Sequence, residues 1–181
     1  MSYASGSYGA APAMVNLYSG WCEEDWGPKT APSSGTWESA NRAVYFAILV
    51  PSQVTVRRVW WANGSSVSAS YNIDAGVYAD AGAKPGARLV SCGSTAQGTA
   101  SSVQFASVTS TVISPGRYWI AIACSSTSAT FLRSTTVASL ATDAAARFEE
   151  ASALPLPATA TPVESSNANA YLFGFATTAS P

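Results

Sequence analysis

The chain has 181 residues, 48 % of them hydrophobic and only 10 % charged, with nine basic side chains, ten acidic ones and no histidine. This length suits one domain with a substantial core. The scattered basic residues form no stripe for nucleic acid, and the missing histidine excludes a Ser-His-Asp triad. A charged fraction well below the roughly 25 % of average soluble proteins favours a protein held in an assembly or working outside the cell.

The first part of the chain indicates little regular structure. Residues 1–16 are small and polar with interspersed tyrosines, which favours an extended N-terminal arm, and they lack the basic and apolar regions of a signal peptide. Residues 17–41 carry three of the six tryptophans among turn formers, so we expect an irregular ordered loop with at most one short strand. No apolar run approaches about 18 residues, so we expect no membrane insertion.

Short apolar runs closed by turn residues dominate the middle of the chain, and this pattern is typical of an antiparallel sandwich. Residues 42–50, "RAVYFAILV", are apolar on both faces, as in a central strand. In "VTVRRVWWANG" the alternation slips at Arg57 and Arg58, which predicts a β-bulge. Asn63–Gly64 predicts a hairpin turn.

Further strands follow this turn signal. "YNIDAGVYADAGAKPGARLVSCG" contains two strands with a loop at 79–87, and "VQFASV" alternates after a polar connection at 93–102. Ser114-Pro115-Gly116 forms a tight turn before a strand with two faces, and "ATFLRS" is a short strand after it. One face of that strand carries Tyr118, Ile120, Ile122 and Cys124, and the other carries Trp119, Ala121 and Ala123.

The C-terminal part is less regular. Residues 137–151 are the one stretch of the sequence with helical propensity, and they predict either one short helix or a loop. Residues 152–170 are rich in Pro, Ala and Thr and indicate an extended crossing segment. "AYLFGFA" at 170–176 predicts a closing strand that returns to the sheets from far along the chain.

These elements predict an all-β, antiparallel, jelly-roll-like β-sandwich with an extended N-terminal arm and a Pro-rich C-terminal segment. We divide it into the arm at 1–16, the sandwich core at 17–136, and a C-terminal part of the same domain at 137–181. That last part would hold the loop or helix, the crossing segment and the closing strand.

Three stretches carry a resemblance to a known family: "DAGVY" at 74–78, "GSTAQ" at 93–97 and "PGRYW" at 115–119. With the order of strands around them, residues 42–135 resemble a β-sandwich family encoded in tailed bacteriophages and prophages, described as virion, tail or minor structural proteins. The resemblance implies a particle component exposed on the virion after assembly in the host cytoplasm. No catalytic residue comes with it.

The acidic residues and cysteines give only weak signals of metal binding, catalysis or disulfide formation. Glu23-Glu24-Asp25 could contribute oxygen ligands to calcium, but a solvated acidic turn is the favoured interpretation. Asp74 and Asp80 could form the carboxylate pair of a glycosidase, but capping of a turn is the ordinary role for an Asp before Gly. Cys92 and Cys124 are interpreted as small buried residues rather than a disulfide, and Cys22 is left open. We expect no cofactor and no metal.

The tryptophans and one arginine pair are the candidate contact residues. Trp60 and Trp61 must point to opposite faces if they lie in a strand. Exposed rings can stack on sugars, although packing in the core or between subunits is favoured for the whole set. Arg57 and Arg58 could bind an acidic partner, or could pair locally at the bulge. The candidates for partner or glycan contact are Trp21, Trp26, Trp37, Trp60, Arg57 and Arg58.

The preferred function is therefore non-enzymatic. We expect a structural protein displayed on the tail or head surface of a phage particle, with other virion proteins as partners and a homo-oligomer, first guess a trimer, as its assembly. The alternative is a carbohydrate-binding module or adhesin that attaches particles to host surface glycans through exposed aromatics. A glycan hydrolase is the third hypothesis and needs two facing carboxylates.

Overall fold

The computed structural model describes residues 18–19, 33–134, 147–165, 167 and 169–177. In these ranges the chain forms β-strands and no helix, so nothing there has the form of a membrane-crossing helix. The strands are Tyr18–Ser19 (β1), Ser33–Thr36 (β2), Arg42–Val50 (β3), Val54–Ala62 (β4), Asn72–Asp80 (β5), Pro85–Ser91 (β6), Thr95–Ala96 (β7), Val103–Ile113 (β8), Gly116–Cys124 (β9), Thr130–Ser134 (β10), Arg147–Glu150 (β11), Val163–Glu164 (β12), Ala170–Tyr171 (β13) and Phe173–Ala176 (β14).

The strands form three antiparallel sheets. The largest has the order β12-β11-β3-β9-β5-β6, with β7 paired to β5 beside β6. A four-stranded sheet has the order β1-β14-β4-β8, and a small one has the order β13-β10-β2. The prediction of an all-β antiparallel sandwich is confirmed.

The main core lies between the large sheet and the two smaller ones. β3 and β9 pair along their whole length, from Arg42 opposite Cys124 to Val50 opposite Gly116. Alternate residues of these strands face inward, because successive side chains of a strand point to opposite faces. Their inward residues meet buried side chains of the smaller sheets, among them Val56, Val59, Trp61, Phe131, Tyr171, Phe173 and Phe175.

A second core covers the outer face of the large sheet. There Tyr45, Tyr78 and Trp119 are buried beneath the irregular segment 153–160. Two facing apolar surfaces explain why β3 and β9 are hydrophobic on both sides, as the sequence predicts. Within β9, Ile120 and Ile122 belong to the main core while Trp119 and Ala121 belong to the second one, which confirms the predicted faces.

The bulge predicted at Arg57 and Arg58 is confirmed. Val56 pairs with Thr111 and Arg58 with Ser107, so the ladder between β4 and β8 shifts register there. Both strands change phase at this point.

The hairpin predicted at Asn63–Gly64 is wrong. β4 pairs with β14 and β8, and the chain after Gly64 crosses to β5 in the other sheet. The buried Asn63 side chain donates to the carbonyls of Gln97 at 2.9 Å and Thr99 at 2.8 Å. Gly64 is needed for close packing instead, since a Cβ there would lie 2.3 Å from Ser34 Oγ and 2.6 Å from Thr130 Oγ1.

A helix or loop is also wrong for residues 147–150, which form β11. β11 pairs with β3, placing Phe148 opposite Tyr45. Phe148 packs edge-on against Trp119 with ring centroids 5.2 Å apart. Tertiary packing of this kind overrides a weak local helix propensity. Residues 137–146 lie outside the described residues, as does the proposed arm at 1–16, and the division of the domain stays a prediction.

Candidate functional site

Trp37, one of the candidate contact residues, lies in the main core. Its side chain is 1 % exposed, and its ring centroid lies 5.1 Å from that of Phe131 and 4.6 Å from that of Tyr171. Its backbone N–H donates to Ala129 O at 2.8 Å and so fixes the chain just after β2. Neither face of the ring is offered to a sugar or to a partner.

Trp60 and Trp61 point to opposite faces of β4, as expected, and both are buried. Trp61 faces the main core and donates from Nε1 to Gln97 O at 3.0 Å. Trp60 is 5 % exposed and lies on the outer face of the four-stranded sheet beside Ala62 and Ala176. Among the described residues nothing accepts a hydrogen bond from Trp60 Nε1. The sequence left open that one ring reaches a neighbouring molecule, and the structure places neither of them at the surface.

Arg57 and Arg58 lie at the bulge with different surroundings. The guanidinium carbon of Arg58 lies 4.2 Å from the ring centroid of Phe105 on β8, a cation–π contact. Arg57 is exposed, and in the part of the chain that the structure describes neither arginine forms an ion pair. Of the four candidate contact residues that the structure describes, Arg57 is therefore the one whose exposed side chain could meet a partner.

The remaining candidates, Trp21 and Trp26, lie outside the described residues. The same holds for Cys22 and the acidic triplet 23–25. Their roles stay predictions.

Asp74 is buried in β5 and holds other segments in place. Its carboxylate accepts hydrogen bonds from Ser91 Oγ at 2.7 Å and from the backbone N–H of Leu156 at 2.9 Å. The first bond ties β6 to β5, and the second anchors the segment that covers the large sheet. Both oxygens of Asp74 are therefore engaged in structural bonds.

Asp80 ends the same strand and makes a separate set of contacts. It accepts a hydrogen bond from Trp119 Nε1 at 2.8 Å and one from Ala83 N at 3.2 Å, and it lies 3.6 Å from Arg117 Nε. Asp74 and Asp80 are six positions apart in one strand, which corresponds to about 20 Å. The paired carboxylates of a glycosidase are about 5 to 9.5 Å apart, so these two residues do not form such a pair.

A buried ion pair joins β11 to the chain after β2. Arg147 is fully buried and bonds through Nη2 to Glu38 Oε1. Its Nη1 donates to Asn167 O at 2.5 Å and to Asn169 O at 3.1 Å. Asn167 Nδ2 donates in turn to the second oxygen of Glu38 at 2.5 Å. Burial of such charges is tolerated because each is paired and hydrogen-bonded.

Glu150 closes the second core at its edge. Tyr45 Oη donates to Glu150 Oε2 at 2.8 Å, and Glu150 also accepts bonds from Thr161 N at 3.0 Å and Thr161 Oγ1 at 2.9 Å. Tyr78 Oη donates to Pro157 O at 2.7 Å. Burial raises the pKa of Tyr45 and of Tyr78 above the ordinary range of a phenol, so both remain neutral donors.

Cys92 and Cys124 are free thiols, which confirms the preference for unpaired cysteines. Burial raises the pKa of Cys92 to about 12 and that of Cys124 to about 11. A thiol with a raised pKa is a poor nucleophile, because the thiolate is the reactive form. The described ranges also hold no cluster of three or more side chains suited to a metal ion.

Three loops meet at one end of the sandwich and carry no charge. We call residues 63–71, 92–102 and 125–129 the neutral loop end, because no Asp, Glu, Lys or Arg occurs in them. Backbone bonds hold them together: Gly64 N to Thr130 O at 2.9 Å, Ser101 N to Gly64 O at 2.7 Å and Gln97 N to Tyr71 O at 2.8 Å. Its exposed hydroxyl residues are Ser65, Ser66, Ser70, Ser94, Thr99, Ser101, Thr127 and Ser128.

The neutral surface continues along β8. This strand starts at the neutral loop end, where Asn63 N donates to Ser102 O at 2.9 Å and Val103 pairs with Ala62. β8 is the last strand of the four-stranded sheet, and residues 89–116 contain no charged side chain. Val103 and Val112 near its two ends are 48 % and 59 % exposed.

Together, the neutral loop end and β8 form a surface to which their own residues contribute no charge, and the guanidinium of Arg58 on β4 lies over Phe105 beside it. Side-chain hydroxyls and free backbone groups can make hydrogen bonds there without the desolvation of a charge. Sequence reasoning did not assign this surface, although its signal, long stretches without a charged residue, is visible in the sequence. No protein-family model, curated protein or solved structure matches the chain.

Proposed function

We propose that the chain is a non-enzymatic structural protein of a tailed-phage particle, displayed on the tail or head surface. It acts by packing against further copies of itself and against other virion proteins. The observation that carries this proposal is the uncharged surface formed by the neutral loop end and β8. Interface cores are depleted in charged residues, and a surface of this kind suits contact with protein better than free exposure to water.

The motifs behind the family resemblance support a structural role. "DAGVY" lies in β5, where Asp74 anchors neighbouring segments. In "GSTAQ", the carbonyl of Gln97 accepts bonds from Trp61 and Asn63, and its side chain donates to Thr130 O at 2.9 Å. "PGRYW" begins β9, the strand between β3 and β5. Each motif therefore has a role in the scaffold that requires no chemistry.

The described carboxylates support the same proposal. Five of the six bond to another segment, namely Glu38, Asp74, Asp80, Glu149 and Glu150, and Glu149 does so through Arg42 at 3.0 Å and Ser165 Oγ at 2.9 Å; the sixth, Glu164, is exposed on β12. A catalytic acid needs access to a substrate, and these five groups are instead engaged in bonds that join strands and loops.

The first test asks whether the chain is part of a particle. Phage particles produced by the strain that encodes the chain are banded in a density gradient, and the fractions are probed with an antibody against the chain. We expect the chain to band with the major capsid protein and to remain after a salt wash. A chain that stays with soluble proteins while the capsid protein bands would refute the proposal.

The second test asks how the chain assembles. Size-exclusion chromatography with light scattering is run on the full chain and on a variant without residues 1–16. We expect a defined homo-oligomer, a trimer, that dissociates without the arm. A stable monomer in both cases would favour the carbohydrate-binding module.

The glycan-binding alternative has one observation in its favour, the exposed hydroxyls of the neutral loop end. Hydroxyl side chains can exchange hydrogen bonds with an uncharged sugar. The aromatic stacking platform on which that hypothesis depended is not formed by Trp37 or Trp60, which are buried. Binding on a glycan array that is lost when Trp21 and Trp26 are replaced by Ala would establish this function instead.

A further inference from the structure

We infer that β8 is a contact between two copies of this chain, paired antiparallel across a two-fold axis. The pairing joins the two four-stranded sheets into one continuous sheet. This inference rests on the geometry of β8 alone and goes beyond the proposed function, since it would hold for a protein outside a phage particle.

In the part of the chain that the structure describes, one edge of β8 could accept another strand. β8 pairs with β4 on one side, and no other described strand pairs with its opposite edge. At 11 residues it is the longest strand in the described ranges. An edge strand carries a row of unpaired N–H and C=O groups, which is a template for a strand of another molecule.

The sequence of β8 lacks most of the devices that protect such an edge. "VQFASVTSTVI" contains no Lys, no other charge and no Pro. Soluble proteins use those residues to prevent pairing between edges. One protecting device is present, the bulge opposite Arg57, but regular ladder pairs flank it at Ser107 and Thr111.

The bulge also determines which side chains would meet across the contact. Ala106 and Val108 pack against the main core, whereas Phe105 packs beside Trp60 on the outer face of the sheet. Val103 is two positions from Phe105 and therefore faces outward with it. Ile113 is in the main core, so its neighbour Val112 faces outward as well. In an uninterrupted strand, residues nine positions apart would point to opposite faces. The change of phase thus places two exposed valines on one face.

A second copy of β8 is the occupant that complements this arrangement. Antiparallel pairing about an axis through Ser107, with the extra residue of the bulge between Val108 and Thr111 left unpaired, sets Val103 of each copy opposite Val112 of its partner. Apolar pairs directly opposite one another are the stabilising unit of a sheet. A two-fold axis makes the contact self-complementary, and two uncharged edges do not repel each other.

The contact should be weak when it acts alone. An edge of 11 residues is about 37 Å long, and one sheet edge of that length buries less than the roughly 800 Å² per partner of a standard interface. We therefore expect a concentration-dependent dimer, not a permanent one.

The test is sedimentation velocity on the full chain over a concentration series. We expect the wild-type species, whether a single chain or an oligomer formed through residues 1–16, to associate in pairs as its concentration rises. Val112→Lys should weaken this pairing about tenfold, because the two-fold axis repeats each change. Val103→Glu is a second variant with the same expectation, and both sites are exposed, so folding should be retained. Val163→Lys is the matched control: Val163 is 63 % exposed on β12, in the other sheet, and its variant should behave as wild type.

A charge-swap variant tests the register. In V103E/V112K each introduced carboxylate faces an introduced ammonium of the partner, so dimerisation should return at low salt and weaken as salt is added. Wild type that stays monomeric at millimolar concentration, or V112K that dimerises as wild type does, overturns the inference. An oligomer that needs residues 1–16 but is unaffected by V112K also overturns it, while leaving the proposed function intact.

Discussion

The buried ion pair between Arg147 and Glu38 provides the sharpest test of the fold. We consider Arg147→Met, which keeps an unbranched apolar stem but removes the guanidinium group and its charge. The substitution leaves the Glu38 carboxylate buried with the Asn167 amide as its remaining partner, and it removes the donor to two carbonyl groups. Removing one partner of a buried pair costs about 3–5 kcal/mol. We expect R147M to lose that amount, a large part of the stability of an ordinary domain.

The double variant E38L/R147M separates the charge from the packing. It removes both charges and leaves the two carbonyl groups of Asn167 and Asn169 without their donor, which costs about 1–3 kcal/mol for each group that stays buried. R147M carries the same cost and the cost of an unpaired Glu38 in addition. We therefore expect the double variant to be more stable than R147M alone. The assay is urea unfolding followed by tryptophan fluorescence and far-UV circular dichroism, at protein concentrations low enough to avoid association.

Arg57→Met is the matched control for this series. Arg57 is exposed, so the same substitution should change the free energy of unfolding by no more than about 0.5 kcal/mol. The reasoning is refuted if R147M loses less than about 1 kcal/mol. It is also refuted if the losses of R147M and of the single variant E38L simply add in the double variant, because residues in direct contact should be coupled.

Three further predictions concern other parts of the structure. Asp74→Asn should lose about 1.5–3 kcal/mol, because its charge-assisted bonds weaken, and hydrogen exchange should rise first in residues 153–160; unchanged exchange there would contradict the anchoring role. Gly76→Ala should lose about 1–3 kcal/mol in urea unfolding, since the new Cβ would lie 2.4 Å from Val90 O, and a loss near zero would mean that β6 shifts freely. The pKa of Cys124 rises from 9.0 when the thiol is exposed to about 11 in the fold. Burial of the neutral thiol therefore stabilises the folded state below about pH 9, and this contribution is lost as the pH rises toward 11. The urea midpoint of wild type should therefore fall more steeply than that of Cys124→Ala between about pH 8 and about pH 10.5, and parallel slopes would exclude this linkage.

The strands were predictable where a local pattern coincides with burial on a known face. The alternation of Ile120 and Ile122 with Trp119 and Ala121 is of this kind, and so is the bulge at Arg57. The Asn63–Gly64 signal failed because these residues serve contacts made far along the chain, with Gln97, Thr99 and Thr130. β11 was missed because pairing with β3 decides its conformation.

The candidate surface could be predicted only in part. Its lack of charge can be read from the sequence, but its location cannot, because the sequence does not say which strand ends a sheet. β8 has one unpaired edge because, among the described strands, β4 pairs with it and no other strand follows, a consequence of strand order. Trp37 and Trp60 were proposed as contact residues but are buried. The sequence alone does not tell a core tryptophan from one at a contact, because the difference lies in its neighbours.

The position of β14 has a consequence for the time course of folding. β14 is the last described strand in the chain, yet it lies between β1 and β4, with Phe173 opposite Trp61 and Phe175 opposite Val59. During synthesis β4 therefore has one neighbour missing until residues 173–176 have left the ribosome. Folding of β-sandwiches takes milliseconds to seconds, because the entropy cost of closing such long loops must be met before stabilising contacts form. A nascent chain stalled before residue 170 would expose the β4 edge and should recruit chaperones.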